Sequence, residues 1–226
     1  MSVSEIYDQV AGNYDESYIE KRFVAEDRLL RSELLKACGT NGSKIVDFGC
    51  GTGLAYDLLD GPSGYIGIDL SKGMLERAKE KFPEGQWHQG DVLDSGLIDN
   101  SADVIISLYG CVTYVKDIKS FFCEIKRILK PTGKFFLVGC NVSRSRVRNS
   151  LMVNHSRDLW CDHTEKDLQR AMDMAYLNGN VRLLSHVLDS LPTWLPQSVF
   201  DWAIRAEWFC NINRGVYMVI EGHGKA

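Results

Sequence analysis

The stretch Lys44-Ile45-Val46-Asp47-Phe48-Gly49-Cys50-Gly51-Thr52-Gly53-Leu54 decides the fold of this chain. A short apolar run that carries one carboxylate, Asp47, is followed at once by three glycines at alternate positions. The residues from Leu54 to Leu59 favour a helix, so the stretch is typical of a strand, a tight turn and a helix. Glycine lets backbone N–H groups approach a ligand because it has no Cβ, and the helix start adds a partial positive charge.

A second apolar run, Tyr65 to Asp69, follows that helix and also ends in a carboxylate. A carboxylate that closes the second strand of such a unit can accept hydrogen bonds from both hydroxyls of a ribose. We therefore expect a ligand that has an anionic end and a ribose.

The glycine pattern distinguishes between classes of nucleotide-binding loop. The dinucleotide fingerprint G-x-G-x-x-G/A would place Leu54 or Tyr56 at its last position, and both side chains are too large there. The phosphate-loop pattern also fails, because no Gly-Lys-Ser/Thr ends the loop. A nicotinamide-dependent dehydrogenase therefore ranks last among the enzymes considered.

The loop has the form D-x-G-x-G-x-G, and at this point the chain resembles the class I S-adenosylmethionine (SAM)-dependent methyltransferases. The segments Gly90-Asp91-Val92 and Leu129 to Lys134 extend the resemblance, which covers residues 44–139 well. It implies an α/β, doubly wound, Rossmann-like domain whose seven-stranded, mostly parallel sheet has an antiparallel last strand and helices on both faces. We expect one domain, 1–226, divided into an N-terminal helical lid (1–40), a cofactor-binding core (44–139) and a substrate-side part (140–226).

The resemblance implies SAM as the cofactor and S-adenosylhomocysteine as the product. Asp47 or the nearby backbone is expected to hold the methionine ammonium, Asp69 the ribose, and Asp91 with Val92 the adenine. Two alternatives stay open, because Asp91 also fits a turn or cap and Met74 also fits ordinary core packing. The cofactor contacts expected in all are Tyr14, Asp47, Gly49, Cys50, Gly51, Asp69, Leu70, Met74, Gly90, Asp91, Val92, Ser107 and Leu108.

The first twenty residues contain Y-D-x-x-A-x-x-Y-D, from Tyr7 to Asp15. The two tyrosines are seven residues apart, close to two helical turns, so both could share one face of a helix. The resemblance implies a lid that folds over the cofactor, whereas a surface helix that packs two aromatic rings is the alternative. Tyr14 is the preferred cofactor contact, and Tyr7 and Tyr18 are expected at the substrate.

Candidate substrate contacts follow the fourth strand, because ligands of open α/β sheets bind outside the carboxyl ends of the strands. They are Tyr109, Thr113 and Tyr114, although one of the tyrosines can simply pack beneath the next helix. Arg144 is a candidate anion contact on the substrate side, and a solvated arginine is the alternative. If the reaction needs a general base, the candidates are Tyr109, His155 and His163.

The amino-acid composition limits the classes of protein to which this chain can belong. Hydrophobic residues make up 45% and charged residues 25% of the 226, with a formal charge of −4, so the chain has no broad basic surface for nucleic acid. No apolar stretch is long enough to cross a membrane. Seven cysteines without a C-x-x-C pair favour reduced thiols in a cytoplasm over a disulfide framework or a zinc site.

Periodicity predicts the remaining elements. Helices are expected over 19–38, 72–81 with Ser71 as the cap, 118–129, 165–177 and 198–209. Strands are expected over 86–89, 103–109, 134–138, 181–188 and 216–220, and Lys130-Pro131-Thr132-Gly133 is expected to break the chain before the fifth strand.

The functional hypothesis is transfer of the SAM methyl group to an N, O or C nucleophile of a small molecule, by a monomer or homodimer that uses no metal. Two rivals stay open. One is a methyltransferase that acts on a protein or RNA, and the other is a SAM-binding protein that performs different chemistry.

Overall fold

The computed structural model describes residues 1–39, 42–141, 159–184, 188, 191–210 and 217–224. Within these residues the strands are β1 Ile45–Phe48, β2 Tyr65–Asp69, β3 Gln86–Gln89, β4 Ala102–Leu108, β5 Leu129–Cys140, β6 Leu177–Leu184 and β7 Tyr217–Gly224. The helices are α1 Val3–Val10, α2 Lys21–Cys38, α3 Leu54–Leu58, α4 Lys72–Lys81, α5 Cys111–Tyr114, α6 Ile118–Ile128, α7 Glu165–Met174 and α8 Gln197–Cys210.

All seven strands form one sheet in the order β3-β2-β1-β4-β5-β7-β6. Neighbours from β3 to β5 pair in parallel, whereas β7 is antiparallel to both β5 and β6. The chain moves outward from β1 to β3 and then returns to place β4 beside β1. That reversal creates a crevice at the carboxyl ends of β1 and β4, where ligands of such sheets bind.

Each face of the sheet carries its own hydrophobic core, because neighbouring residues of a strand point to opposite faces. Ile45 belongs to a core that includes residues of helices α2, α3, α4 and α8, whereas its neighbour Val46 belongs to a second core that includes residues of α5, α6 and α7. The strands are therefore covered by helices on both sides, which confirms the doubly wound fold with its antiparallel last strand.

The predicted boundary between α7 and β6 was wrong. The helix ends at Met174, and the strand begins at Leu177 instead of Val181. Tyr176 has a left-handed φ of 56°, which ends the helix early. The sequence after it reads like a turn, yet Gly179 pairs with Gly222 in the antiparallel ladder. A Cβ on Gly222 would lie 2.1 Å from the Asn178 carbonyl oxygen, so the glycine permits close strand contact.

Three smaller differences concern element ends. Strand β5 already begins at Leu129, opposite Ala102, so the expected chain break at 130–133 lies inside the strand, beside a register shift. Strand β7 continues to Gly224, beyond the expected end at Ile220. Helix α1 ends at Val10 and short 3₁₀ turns follow at Ala11–Asn13 and Asp15–Tyr18, so Tyr7 and Tyr14 do not share one continuous helix.

Candidate active site

The glycine loop between β1 and α3 has two differently constrained glycines. Gly49 and Gly51 have left-handed φ values of 69° and 53°. A Cβ on Gly49 would lie 2.7 Å from the Cys111 sulfur, whereas a Cβ on Gly51 would meet no atom within 4 Å. Gly49 is therefore required by packing as well as by backbone conformation. Gly51 faces open space, which leaves room for a ligand to contact the backbone.

Asp69 joins the two loops that border this space. One of its carboxylate oxygens accepts a hydrogen bond from the Gly51 N–H at 2.9 Å, and the other accepts from the Ser71 N–H at 2.8 Å. Burial raises the pKa of Asp69, and these two hydrogen bonds oppose the rise. Each carboxylate oxygen can accept a second hydrogen bond, so Asp69 keeps the capacity to bind ribose hydroxyls.

Asp47 lies behind the loop and is sealed from solvent, with 2% of its surface exposed. The Tyr65 hydroxyl donates a short hydrogen bond to Oδ2, while Oδ1 has no hydrogen-bond partner within the described part of the chain. Burial raises the pKa of Asp47 to about 7. Because no solvent reaches this carboxyl, the loop backbone is the better placed of the two groups expected at the methionine ammonium.

The residues expected at the adenine lie in two kinds of environment. Asp91 is exposed, and its Oδ1 accepts a hydrogen bond from the Leu93 N–H at 2.9 Å, as in a turn. Leu70 is 44% exposed beside Asp69, whereas Met74 and Val92 are buried. The turn alternative for Asp91 therefore has direct support, and the adenine contacts stay predictions.

The tyrosines of the N-terminal segment form a row of contacting rings that reaches Tyr114 on α5. The ring centroids of Tyr7 and Tyr14 are 6.1 Å apart, those of Tyr14 and Tyr18 are 5.1 Å apart, and those of Tyr7 and Tyr114 are 5.8 Å apart. The Tyr7 hydroxyl donates to the Tyr114 hydroxyl at 3.1 Å, and the Trp160 indole N–H donates to the same oxygen at 3.1 Å. Four tyrosines that the sequence placed at the cofactor or the substrate thus meet in one cluster.

Tyr109 ends β4 in a left-handed conformation, with a φ of 66°, which is rare for a residue with a side chain. Its hydroxyl donates to the Glu26 carboxylate at 3.4 Å, and its ring centroid is 5.0 Å from that of Tyr217. Burial, and then the Glu26 charge, raise the pKa of Tyr109 well above its usual value. At neutral pH Tyr109 is a neutral hydrogen-bond donor, so in this environment it is poorly suited to act as a general base.

Sequence reasoning missed Glu26, a carboxylate that is 3% exposed on α2. A signal was available, because Ala25, Leu29 and Leu30 are all buried and Glu26 lies among them at helical spacing. A charged residue inside an apolar helical stripe indicates a functional or specifically paired group.

The remaining expected contacts stay predictions, and the structure shows the environment of those it describes. Ser107, Leu108 and Cys50 are buried, as is Thr113, whose hydroxyl accepts a hydrogen bond from the Cys140 N–H at 3.0 Å. Gly90 donates its N–H to the Asp69 carbonyl at 3.1 Å. The His163 Nε2 lies 2.7 Å from the Val115 carbonyl, which holds the ring against α5. Arg144 and His155 lie outside the described residues.

No helix in the described ranges is both long enough and apolar enough to cross a membrane.

Comparisons with known proteins agree with this geometry. Residues 46–137 match the family model described as a methyltransferase domain. The demethylmenaquinone methyltransferase of Lactococcus lactis is 35% identical over 142 residues, which is 58% of this chain and 56% of that protein. The chain therefore matches little more than half the length of this curated relative.

Solved structures share the fold at low sequence identity. The Haloferax volcanii protein solved in complex with the Trm112 methyltransferase activator has a TM-score of 0.71 at 21% identity, covering 100% of this chain and 98% of that one. The cyclase SpnF has a TM-score of 0.70 at 15% identity, covering 98% and 95%. The match of residues 46–137 to a methyltransferase domain, the glycine loop and the sheet order together show a methyltransferase-like domain with a Rossmann-like fold.

Proposed function

We propose that this protein transfers the methyl group of SAM to an N, O or C nucleophile of a small molecule and releases S-adenosylhomocysteine. The observation that carries the proposal is the arrangement of Gly51 and Asp69. The loop glycine faces open space, and the carboxylate beside it is anchored by two backbone N–H groups. An open backbone next to a ribose-binding carboxylate fits an adenosyl cofactor.

The residues of this chain would hold that cofactor at the carboxyl ends of β1 and β2. The loop backbone near Gly51 would contact the methionine end, Asp69 the ribose, and the segment around Leu70, Gly90 and Val92 the adenine. SAM supplies a sulfonium methyl group that is already electrophilic. The protein then has to align the acceptor with that methyl and exclude water.

The proposed acceptor side of the site consists of the tyrosine cluster together with Tyr109 and Thr113. From the cluster, Tyr7, Tyr18 and Tyr114 are the proposed substrate contacts. The tyrosine rings can exclude water, and the hydroxyls can orient a polar acceptor. A general base is needed only if the acceptor atom is protonated at the working pH. His163 and His155 stay candidates for that base, and Arg144 stays a candidate contact for an acidic acceptor.

A small-molecule acceptor is favoured by the relative from Lactococcus lactis, whose name specifies demethylmenaquinone. The decisive experiment measures S-adenosylhomocysteine formation with a panel that contains a demethylated naphthoquinol, simple phenols and small amines. Turnover with one class, lost in Asp69→Ala, supports the proposal. Product formation only with protein or RNA pools would assign the chain to macromolecular methylation instead.

A non-methylating role is the second candidate, because the fold is shared with the cyclase SpnF. Tight binding of SAM together with no S-adenosylhomocysteine release from any acceptor class would favour that candidate. The Haloferax volcanii protein was solved in complex with a methyltransferase activator. Because activity could depend on such a partner, the panel of acceptors should also be tested with an activator protein of that type.

We also propose a cytoplasmic location, supported by seven cysteines that are all free. We further propose that the chain is divided into a lid, a cofactor core and a substrate-side part, which limited proteolysis tests. We also propose that the protein is a monomer or a homodimer, and sedimentation distinguishes these two states.

A further inference from the structure

The lid contains two Tyr-Asp pairs, Tyr7-Asp8 and Tyr14-Asp15, with the same seven-residue spacing. The tyrosines join the ring cluster over the acceptor side. The two aspartates point elsewhere, and each one contacts a different loop of the cofactor site. The tyrosine role was expected from the sequence, and the aspartate role was not.

Asp8 contacts the loop that follows β2. Its Oδ1 accepts hydrogen bonds from the Ser71 hydroxyl at 2.6 Å and from the Gly73 N–H at 2.8 Å. A Cβ on Gly73 would lie 3.1 Å from the Asp8 Cα, so the lid backbone packs closely on the start of α4. Ser71 also donates its N–H to Asp69, so Asp8 holds the same loop that carries the ribose-binding carboxylate.

Asp15 contacts the glycine loop itself. Its Oδ1 accepts from the Thr52 hydroxyl at 2.6 Å, and its Oδ2 accepts from the Lys81 ammonium at 2.8 Å. Thr52 directly follows Gly51, the residue whose N–H donates to Asp69. The two lid aspartates therefore hold the two loops that Asp69 joins from the other side.

Burial and charge make these contacts durable at neutral pH. Ser71 is 1% exposed and Thr52 is 3% exposed, so both side chains take their hydrogen-bond partners mainly from the protein. Hydrogen bonds from Ser71 and Gly73 lower the pKa of Asp8. Burial raises the pKa of Asp15, but hydrogen bonds from Lys81 and Thr52 outweigh it and the pKa lies below its usual value. Both carboxylates are ionised, which strengthens the hydrogen bonds they accept.

We propose that Asp8 and Asp15 are positioning residues that fasten the lid to both cofactor loops and so control how long SAM and S-adenosylhomocysteine stay bound. The inference rests on the proposed function. If the lid were held only by its tyrosines, it would contact the acceptor side of the site but would make no hydrogen bonds to the two cofactor loops. Fastening through the aspartates makes release of the adenosyl group depend on breaking contacts with Ser71, Gly73 and Thr52.

The test measures the association and dissociation rates of S-adenosylhomocysteine by stopped-flow fluorescence in the full chain. Asp8→Ala and Asp15→Ala should each raise the dissociation rate about tenfold, the scale of a lost hydrogen bond to a charged group. The association rate should change little. Glu16→Ala is the matched control, because Glu16 is exposed on the same 3₁₀ turn, and its rates should equal those of the wild type.

Two further variants distinguish loss of the specific Asp15 contact from a general disruption of the N-terminal segment. Asp15→Asn keeps the size and the acceptor oxygen but loses the charge facing Lys81, so its dissociation rate should lie between those of the wild type and Asp15→Ala. Thr52→Val removes the same hydrogen bond from the other side, together with a 3.4 Å hydrogen bond from the Lys81 ammonium to the Thr52 hydroxyl. If the two single variants lose one shared contact, their effects do not multiply. The dissociation rate of S-adenosylhomocysteine from Asp15→Ala/Thr52→Val should therefore rise by much less than the product of the two single increases.

The outcomes are distinguishable. Failure of the wild type to bind S-adenosylhomocysteine would overturn both this inference and the proposed function. Normal binding with unchanged dissociation rates in Asp8→Ala and Asp15→Ala would overturn this inference alone. Equal effects in Glu16→Ala would also overturn it, because they would reflect a general loosening of the lid.

Discussion

Asp69 is the single residue on which the proposed cofactor site depends most. Its carboxylate already holds the glycine loop and the loop after β2 through two backbone N–H groups. Substitution by alanine removes these anchors and the proposed ribose contact together. We expect Asp69→Ala to weaken S-adenosylhomocysteine binding by about 2 kcal/mol or more, measured by calorimetry. The exposed Asp99→Ala is the control and should bind like the wild type; an unchanged Kd in Asp69→Ala would remove the residue from the site.

The raised pKa of Asp47 leads to a prediction about how the free energy of unfolding depends on pH. Burial raises its pKa to about 7, from an ordinary value of about 4. The folded protein therefore keeps a proton that the unfolded chain releases across this window. This carboxyl consequently lowers the free energy of unfolding progressively as the pH rises from about 4 to about 7.

Asp47→Asn removes that titration and retains an acceptor for the Tyr65 hydroxyl. Relative to the wild type, the variant should gain stability between about pH 4 and about pH 7, by up to about 4 kcal/mol. Urea denaturation of the ligand-free protein at several pH values measures the difference. Parallel stability profiles for the two proteins would mean that Asp47 stays ionised when buried.

At the scale of elements, the packing of α6 offers a direct test of the second core. Phe121 is fully buried, with its ring centroid 5.9 Å from that of Phe48 on β1. Phe121→Ala should lower the free energy of unfolding by about 3–5 kcal/mol, because the cavity adds to the lost apolar burial. Cys123→Ala, at an exposed position of the same helix, should change it by about 0.5 kcal/mol or less. Similar values for the two variants would contradict the assigned face of α6.

The elements that the sequence predicted well are those with strong local patterns. Strands β1 and β4 are mostly apolar because both of their faces are buried, with Asp47, Asp103 and Ser107 as the polar exceptions. Ser71 caps α4 through the Met74 N–H as expected. Strand β6 was misplaced because its Asn-Gly-Asn segment reads as a turn. Only the pairing with Gly222, a distant residue, makes that segment a strand.

The candidate site was predictable in part for the same reason. The glycine loop and Asp69 belong to one local motif, so their proximity follows from the strand-turn-helix pattern. The contacts of the N-terminal segment do not follow from a local pattern, because Asp8 is 63 residues from Ser71 and Asp15 is 37 residues from Thr52 in the chain. Contacts of that kind depend on tertiary packing, for which a single sequence carries no local signal.

At the scale of the whole molecule, binding and stability are linked. A ligand that binds only the folded state stabilises it by about 2.7 kcal/mol when present at 100 times its Kd. We expect S-adenosylhomocysteine at that ratio to raise the melting temperature in calorimetry, and the increase to be smaller at the same ligand concentration in Asp69→Ala. Equal increases in the two proteins would indicate that the ligand binds elsewhere.

The central claim is that the loop at Gly49 to Gly53 binds an adenosyl cofactor of the SAM type. Calorimetric titration of the purified protein with SAM, S-adenosylhomocysteine and NADH tests it most directly. We predict micromolar binding of SAM and S-adenosylhomocysteine, one molecule per chain, and no heat of binding with NADH. Binding of NADH alone would contradict the assignment of the loop and, with it, the proposed methyl transfer.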